Sequence, residues 1–199
     1  MKIIIINKLN NNKNNKLINL IKKIGINPII TNNYKKIKNS DKLIISSIYN
    51  IKKTINIINK YKINNIIKIY DKPILSIVNG LYILCKEYKN LKLLNIFDNI
   101  IVKKIYSYKY KKFIKNIGFK INYHNNKDKI LYNIKKKYYQ YYNNNKYIDI
   151  GAYCISHTNY IKTYSAILKK NNIYGLLFYP QYSGKLGEKI IYNFINKII

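Results

Sequence analysis

Leu177-Phe178-Tyr179-Pro180-Gln181-Tyr182-Ser183-Gly184-Lys185-Leu186-Gly187 reads as a strand end, a turn broken by proline, and a helix start. Ser183 is a candidate N-cap. Leu186, Ile190, Ile191, Phe194, Ile195 and Ile198 follow at the spacing of one apolar helix face. Upstream, residues 163–168 and 173–179 flank Lys169-Lys170-Asn171-Asn172, which predicts a β-hairpin.

The amino-terminal half has a different texture. Strands are predicted at residues 3–6, 28–31, 43–45 and 74–78. Between them, Leu17, Ile18, Leu20, Ile21 and Ile24 recur at helical spacing, with Gly25 as a C-cap. Ile51, Ile55 and Ile58 open a helix expected to run to about Tyr70, where Asp71-Lys72-Pro73 ends it. Residues 80–88 predict another helix. This β-α-β-α order argues for parallel strands with helices on both faces. After Phe97, residues 101–106, 119–123, 130–134 and 147–154 read as strands without long helices between them. The expectation is one domain over residues 1–199: an α/β protein with a mostly parallel central sheet and an antiparallel flank.

Composition bounds the function. The chain has 199 residues, with 38 Lys+Arg against 7 Asp+Glu, a formal charge of +31. Such a balance raises nucleic-acid binding. Yet every cation is lysine, and the lysines run along the whole length. Lys, Asn, Ile, Tyr and Phe all have codons built from A and T alone, so base bias in the gene accounts for the charge. Arginine, the bidentate reader of phosphate and guanine, is absent. Nucleic-acid binding is therefore expected only as a non-specific, salt-sensitive effect. The Asn-Lys tract at residues 10–15 reads as a padded loop. No apolar run is long enough for a membrane span. Cys85 and Cys154 form no disulfide framework and no metal spacing. A reduced cytoplasm is expected, with no cofactor and no metal.

The motifs resemble those of class I glutamine amidotransferases, whose fold is flavodoxin-like. More narrowly, they resemble the glutaminase subunit of imidazole glycerol phosphate synthase, an enzyme of histidine biosynthesis. Asp41-Lys42-Leu43-Ile44-Ile45 is similar to the family's D-x-L-I-L strand. Residues 72–81, Lys-Pro-Ile-Leu-Ser-Ile-Val-Asn-Gly-Leu, are similar to K-P-x-L-G-I-C-x-G-M. Asn116-Ile117-Gly118-Phe119-Lys120 is similar to H-x-G-W-N, and residues 177–187 to the segment containing F-H-P-E-x-S-G-x-L-G. Ile150-Gly151-Ala152-Tyr153 is similar to V-H-S-Y.

The resemblance implies a Cys-His-Glu triad that releases ammonia from glutamine for a (β/α)8-barrel cyclase partner in a heterodimer. It places the nucleophile position at Val78, the base at Tyr179 and the orienting acid at Gln181. None of these side chains is competent in those roles. It also places oxyanion and substrate positions at Ser47, Ile48, Asn79 and Tyr82. The family's P-G-V-G loop here reads Ser46-Ser47-Ile48-Tyr49, and loss of its glycine disfavours the required turn.

Rescue by another thiol is not expected. Cys85 lies too far along its helix, and Cys154 with His157 has no orienting acid nearby in sequence. His124 and His157 read as loop residues. Gly80, Gly118, Gly175, Gly184 and Gly187 mark turns that preserve the fold. Two expectations compete: a glutaminase-like subunit without its chemistry, and a basic non-specific binding protein or decaying gene product.

Overall fold

A computed structural model describes residues 1–6, 15–47, 50–125 and 127–199. The main strands are β1 (Ile3–Ile6), β2 (Ile29–Ile30), β3 (Lys42–Ser47), β4 (Ile74–Val78), β5 (Asn116–Tyr123), β6 (Lys137–Asn144), β7 (Cys154–Tyr160), β8 (Lys162–Lys170) and β9 (Ile173–Leu176). The helices are α1 (Asn15–Lys23), α2 (Tyr34–Lys38), α3 (Ile51–Lys60), α4 (Ile63–Ile69), α5 (Asn79–Leu84) and α6 (Gly184–Lys197).

These strands form one sheet in the order β6-β5-β7-β8-β9-β4-β3-β1-β2. From β9 to β2 every pairing is parallel; from β6 to β9 every pairing is antiparallel. The parallel half is built from apolar runs. All four residues of β1 and all five of β4 are buried, as expected of strands covered on both faces. α1 packs with α6, while α2 contacts α4, α4 contacts α3 and α3 contacts α5.

Several predicted elements change. The single helix expected over residues 51–70 is two. Lys62 adopts φ 54, and α4 restarts with a new buried face of Ile63, Ile66 and Ile67. The predicted helix over 80–88 stops at Leu84. Its last carbonyls are taken by a returning loop: Leu94 N donates to Ile83 O at 3.0 Å, and Ile96 N and Phe97 N donate to Leu84 O at 2.8 and 2.9 Å. Residues 85–92 continue as a small hairpin instead.

Residues 130–134 are not a strand. Asp128 Oδ1 accepts from Ile130 N at 2.9 Å and caps a 3₁₀ turn, Lys129–Leu131. Asn193 of α6 holds that turn through Ile130 O and Tyr132 O. Residues 101–106 and 147–154 supply only short ribbons, and Ile150 to Tyr153 lie off any strand.

β6 has no counterpart among the predicted strands. Its inward positions are Tyr138, Gln140, Tyr142 and Asn144, a polar set that gives no apolar alternation. Three of these side chains are held by buried hydrogen bonds: Tyr142 OH donates to Asn122 Oδ1 at 2.8 Å, Tyr138 OH meets Ser156 Oγ at 2.8 Å, and Asn144 Nδ2 donates to Leu177 O at 2.7 Å.

Candidate functional site

β4 and β9 are adjacent parallel strands, with Leu176 opposite Ile77. The chain leaves both at their carboxyl ends, the edge where open α/β sheets place their ligands. Val78 ends β4 and Tyr179 lies three residues beyond β9, so two of the three predicted triad positions emerge side by side. Gln181 follows in the 3₁₀ turn Pro180–Tyr182.

The turn at Val78 is strained. Its backbone sits at φ 48, ψ −100, between β4 and α5. A positive φ is an outlier for a β-branched residue. This is a strand–elbow–helix geometry, the kind that lifts a nucleophile out of a sheet. Here it presents an isopropyl group that is 2% exposed. The elbow is fixed by Gly80, where an added Cβ would stand 2.0 Å from Ile45 O. Ser76 occupies the first small-residue position and donates from Oγ to Tyr174 O at 2.9 Å.

Tyr179 is mostly buried between Tyr141 and Tyr182; burial, then those two phenols, push its hydroxyl up to about 12. It is protonated at neutral pH and serves poorly as a base. Tyr179 N donates to Tyr141 O at 2.9 Å, and Tyr141 N donates to Ser183 Oγ at 2.9 Å. The antiparallel flank thus curls until the free edge of β6 meets the 177–183 loop. Ser183 stands at the N-cap of α6 but makes no side-chain cap. Its hydroxyl donates to Tyr179 O at 2.7 Å instead. Gln181 carries no charge, and its buried Oε1 accepts no hydrogen bond among the described residues.

Of the predicted oxyanion and substrate positions, Ser47 pairs in register with Val78 on the neighbouring β3. Asn79 opens α5 directly after the elbow. Tyr82 is 1% exposed, and its hydroxyl donates to Lys146 O at 3.2 Å. Burial, with Tyr179 next, drives its ionisation well above the usual phenol range. Ile48 and Tyr49 lie outside the described residues.

The thiols sit elsewhere. Cys85 is fully buried at the end of α5; it donates to Leu81 O, and burial pushes its pKa up. Cys154 is half-buried, and burial raises its thiol too. His157 belongs to β7, not a loop, and stacks on Tyr123 at 5.5 Å. His124 is buried rather than loop-exposed, with Nε2 at 3.1 Å from Lys135 O. Among the described residues no three His, Cys, Asp or Glu side chains converge to hold a metal, and no helix is long and apolar enough to cross a membrane.

The glycines divide by cause. Besides Gly80, a Cβ at Gly187 would stand 2.0 Å from Pro180 O, and one at Gly175 would strike Leu81. Gly118 and Gly184 have positive φ.

The fold is that of the class I glutamine amidotransferase domains. A glutamine amidotransferase from Thermotoga maritima superposes with a TM-score of 0.70 at 7% identity, covering 99% of this chain and 97% of that one. A chain of PurLQS from the same organism gives 0.73 at 14% identity, covering 100% of this chain and 99% of that one. Within that class, the chain resembles imidazole glycerol phosphate synthase subunit HisH. The HisH of Bacteroides thetaiotaomicron is 26% identical over 178 residues, 88% of this chain and 90% of that protein. The HisH of Blochmanniella floridana is 29% identical over 198 residues, 98% and 99% of the two chains. No family model matches the chain.

Proposed function

We propose that this chain is a HisH-like subunit, folded as one domain, that has lost glutamine hydrolysis and serves as a structural partner of a cyclase subunit. The observation that carries the proposal is Val78, a branched aliphatic side chain at the strained turn between β4 and α5. A backbone held at such cost is a relic of nucleophile placement, and valine there has no atom that can attack an amide. Tyr179 and Gln181 support the same reading, since neither takes up a proton at neutral pH as a histidine would. Loss of a single member of a comparable triad costs about 10⁴ to 10⁶ in turnover.

The cyclase partner is inferred from the relatives' standing as synthase subunits. A cyclase bound to this chain would draw on free ammonia. The test is glutamine hydrolysis by the purified chain, alone and mixed with the cyclase subunit. The expected result is none above the uncatalysed rate in either case. Turnover of glutamine that vanishes on Cys85→Ala or Cys154→Ala would show that another thiol has taken over.

A further inference from the structure

Behind Tyr82 the structure gathers three lysines from three separate segments. The hairpin formed by Glu87–Tyr88 and Leu91–Lys92 turns through Lys89 and Asn90, at φ 50 and 61. That left-handed turn is costly for a lysine. In a second ribbon, Lys146 stands directly opposite Lys104. Like charges directly opposed across a strand pair repel. Lys89 completes the group: it follows Tyr88, whose ring Lys146 overlies, and its charge helps hold the Lys104 and Lys146 ammonium groups below the ordinary lysine value.

The group has aromatic walls. Lys146 Nζ lies 5.7 Å from the Tyr82 ring centroid and 5.4 Å from that of Tyr88, and it donates to Asn145 Oδ1 at 2.9 Å. Lys104 Nζ lies 4.8 Å from the Phe113 ring. Among the described residues, every ion pair uses other lysines, and Glu87 on the same hairpin joins none of them. Burial, followed by Lys104 and Lys89, holds the Lys146 ammonium below the ordinary lysine value, and no carboxylate opposes that shift.

Three ammonium groups brought together without a counter-charge are unfavourable unless an anion joins them. We propose that Lys89, Lys104 and Lys146 form a binding site for a small phosphate-bearing anion, walled by Tyr82 and Tyr88. Several charged oxygens on one compact centre match three separate point-charge donors. A halide or a single carboxylate would leave most of the repulsion in place. A nucleic-acid backbone shares the phosphate chemistry but spreads one charge per phosphate along a strand, which suits this compact cluster less well.

The test is calorimetric titration of the full chain with pyrophosphate at fixed ionic strength in chloride. One saturable site is expected. Lys104→Gln and Lys146→Gln should each weaken it about tenfold, whereas Lys35→Gln on the exposed face of α2 should not. A second readout is thermal unfolding. Without phosphate, Lys104→Gln should raise the Tm by removing repulsion; pyrophosphate should raise the Tm of the parent more than that of the variant. The proposal is overturned by absence of saturable binding, or by equal weakening in Lys35→Gln. A single-stranded oligonucleotide that displaces pyrophosphate and binds more tightly would assign the lysines to a nucleic-acid backbone and also overturn it.

Discussion

At the scale of single residues, Val78 and Tyr179 define what the site can do. Converting Val78 to cysteine places a thiol at the elbow but gives it no base, because Tyr179 holds its own proton. Val78→Cys should therefore remain without glutamine hydrolysis, as measured by glutamate release. The tyrosines carry a second prediction. Burial raises the ionisation of Tyr82, Tyr138, Tyr142, Tyr164, Tyr174 and Tyr179 above the normal phenol value. Above pH about 10 the unfolded chain gives up these protons while the folded chain retains them. Their contribution to stability is complete below that pH and falls as pH rises through the folded values. Denaturant unfolding from neutral to strongly alkaline pH should show a steep loss of stability, coincident with the rise of tyrosinate absorbance. A loss already complete below pH about 9 would contradict it.

At the scale of elements, the elbow depends on the packing of α5 against β3. Gly80→Ala puts a methyl group into Ile45 O and forces a backbone shift, with a cost of about 3 kcal/mol. Chemical denaturation should report that loss, and a variant as stable as the parent would show that the elbow is not held there. The legibility of the sequence follows the same line. β1, β3 and β4 are read directly because each carries buried aliphatic residues close together: Ile3 to Ile6, Leu43 to Ile45, and Ile74, Leu75, Ile77 and Val78. The motif glycines could be read because close contact or positive φ demands them. β6 is invisible because its buried face is tyrosine, glutamine and asparagine, and the hydrogen bonds that hold Tyr138, Tyr142 and Asn144 go to Ser156, Asn122 and Leu177 O, far off in sequence. The 3₁₀ turn at Lys129–Leu131 is masked by its apolar residues, although Asp128 was an available cap signal. α5 ends early for a tertiary reason, the return of Leu94, Ile96 and Phe97 onto its last carbonyls. The cluster at Lys89, Lys104 and Lys146 is lost in a chain where lysine is everywhere.

At the scale of the molecule, the charge is dispersed rather than focused. Lysine ammonium groups lie over tyrosine rings at many points, such as Lys162 over Tyr147 at 4.3 Å and Lys16 over Tyr182 at 4.7 Å. Such pairs place lysine and tyrosine against each other, so their interleaving in the sequence is partly an internal matter. Under the proposed function the fold is kept while Val78, Tyr179 and Gln181 take the site positions, and the question that matters is whether it serves a partner. Co-expression with the cyclase subunit, followed by purification and product assay with glutamine or with an ammonium salt, addresses that question most directly. The account predicts a stable complex that forms product from ammonium and none from glutamine. Product formed from glutamine, or a cyclase that does not associate with this chain, would contradict it.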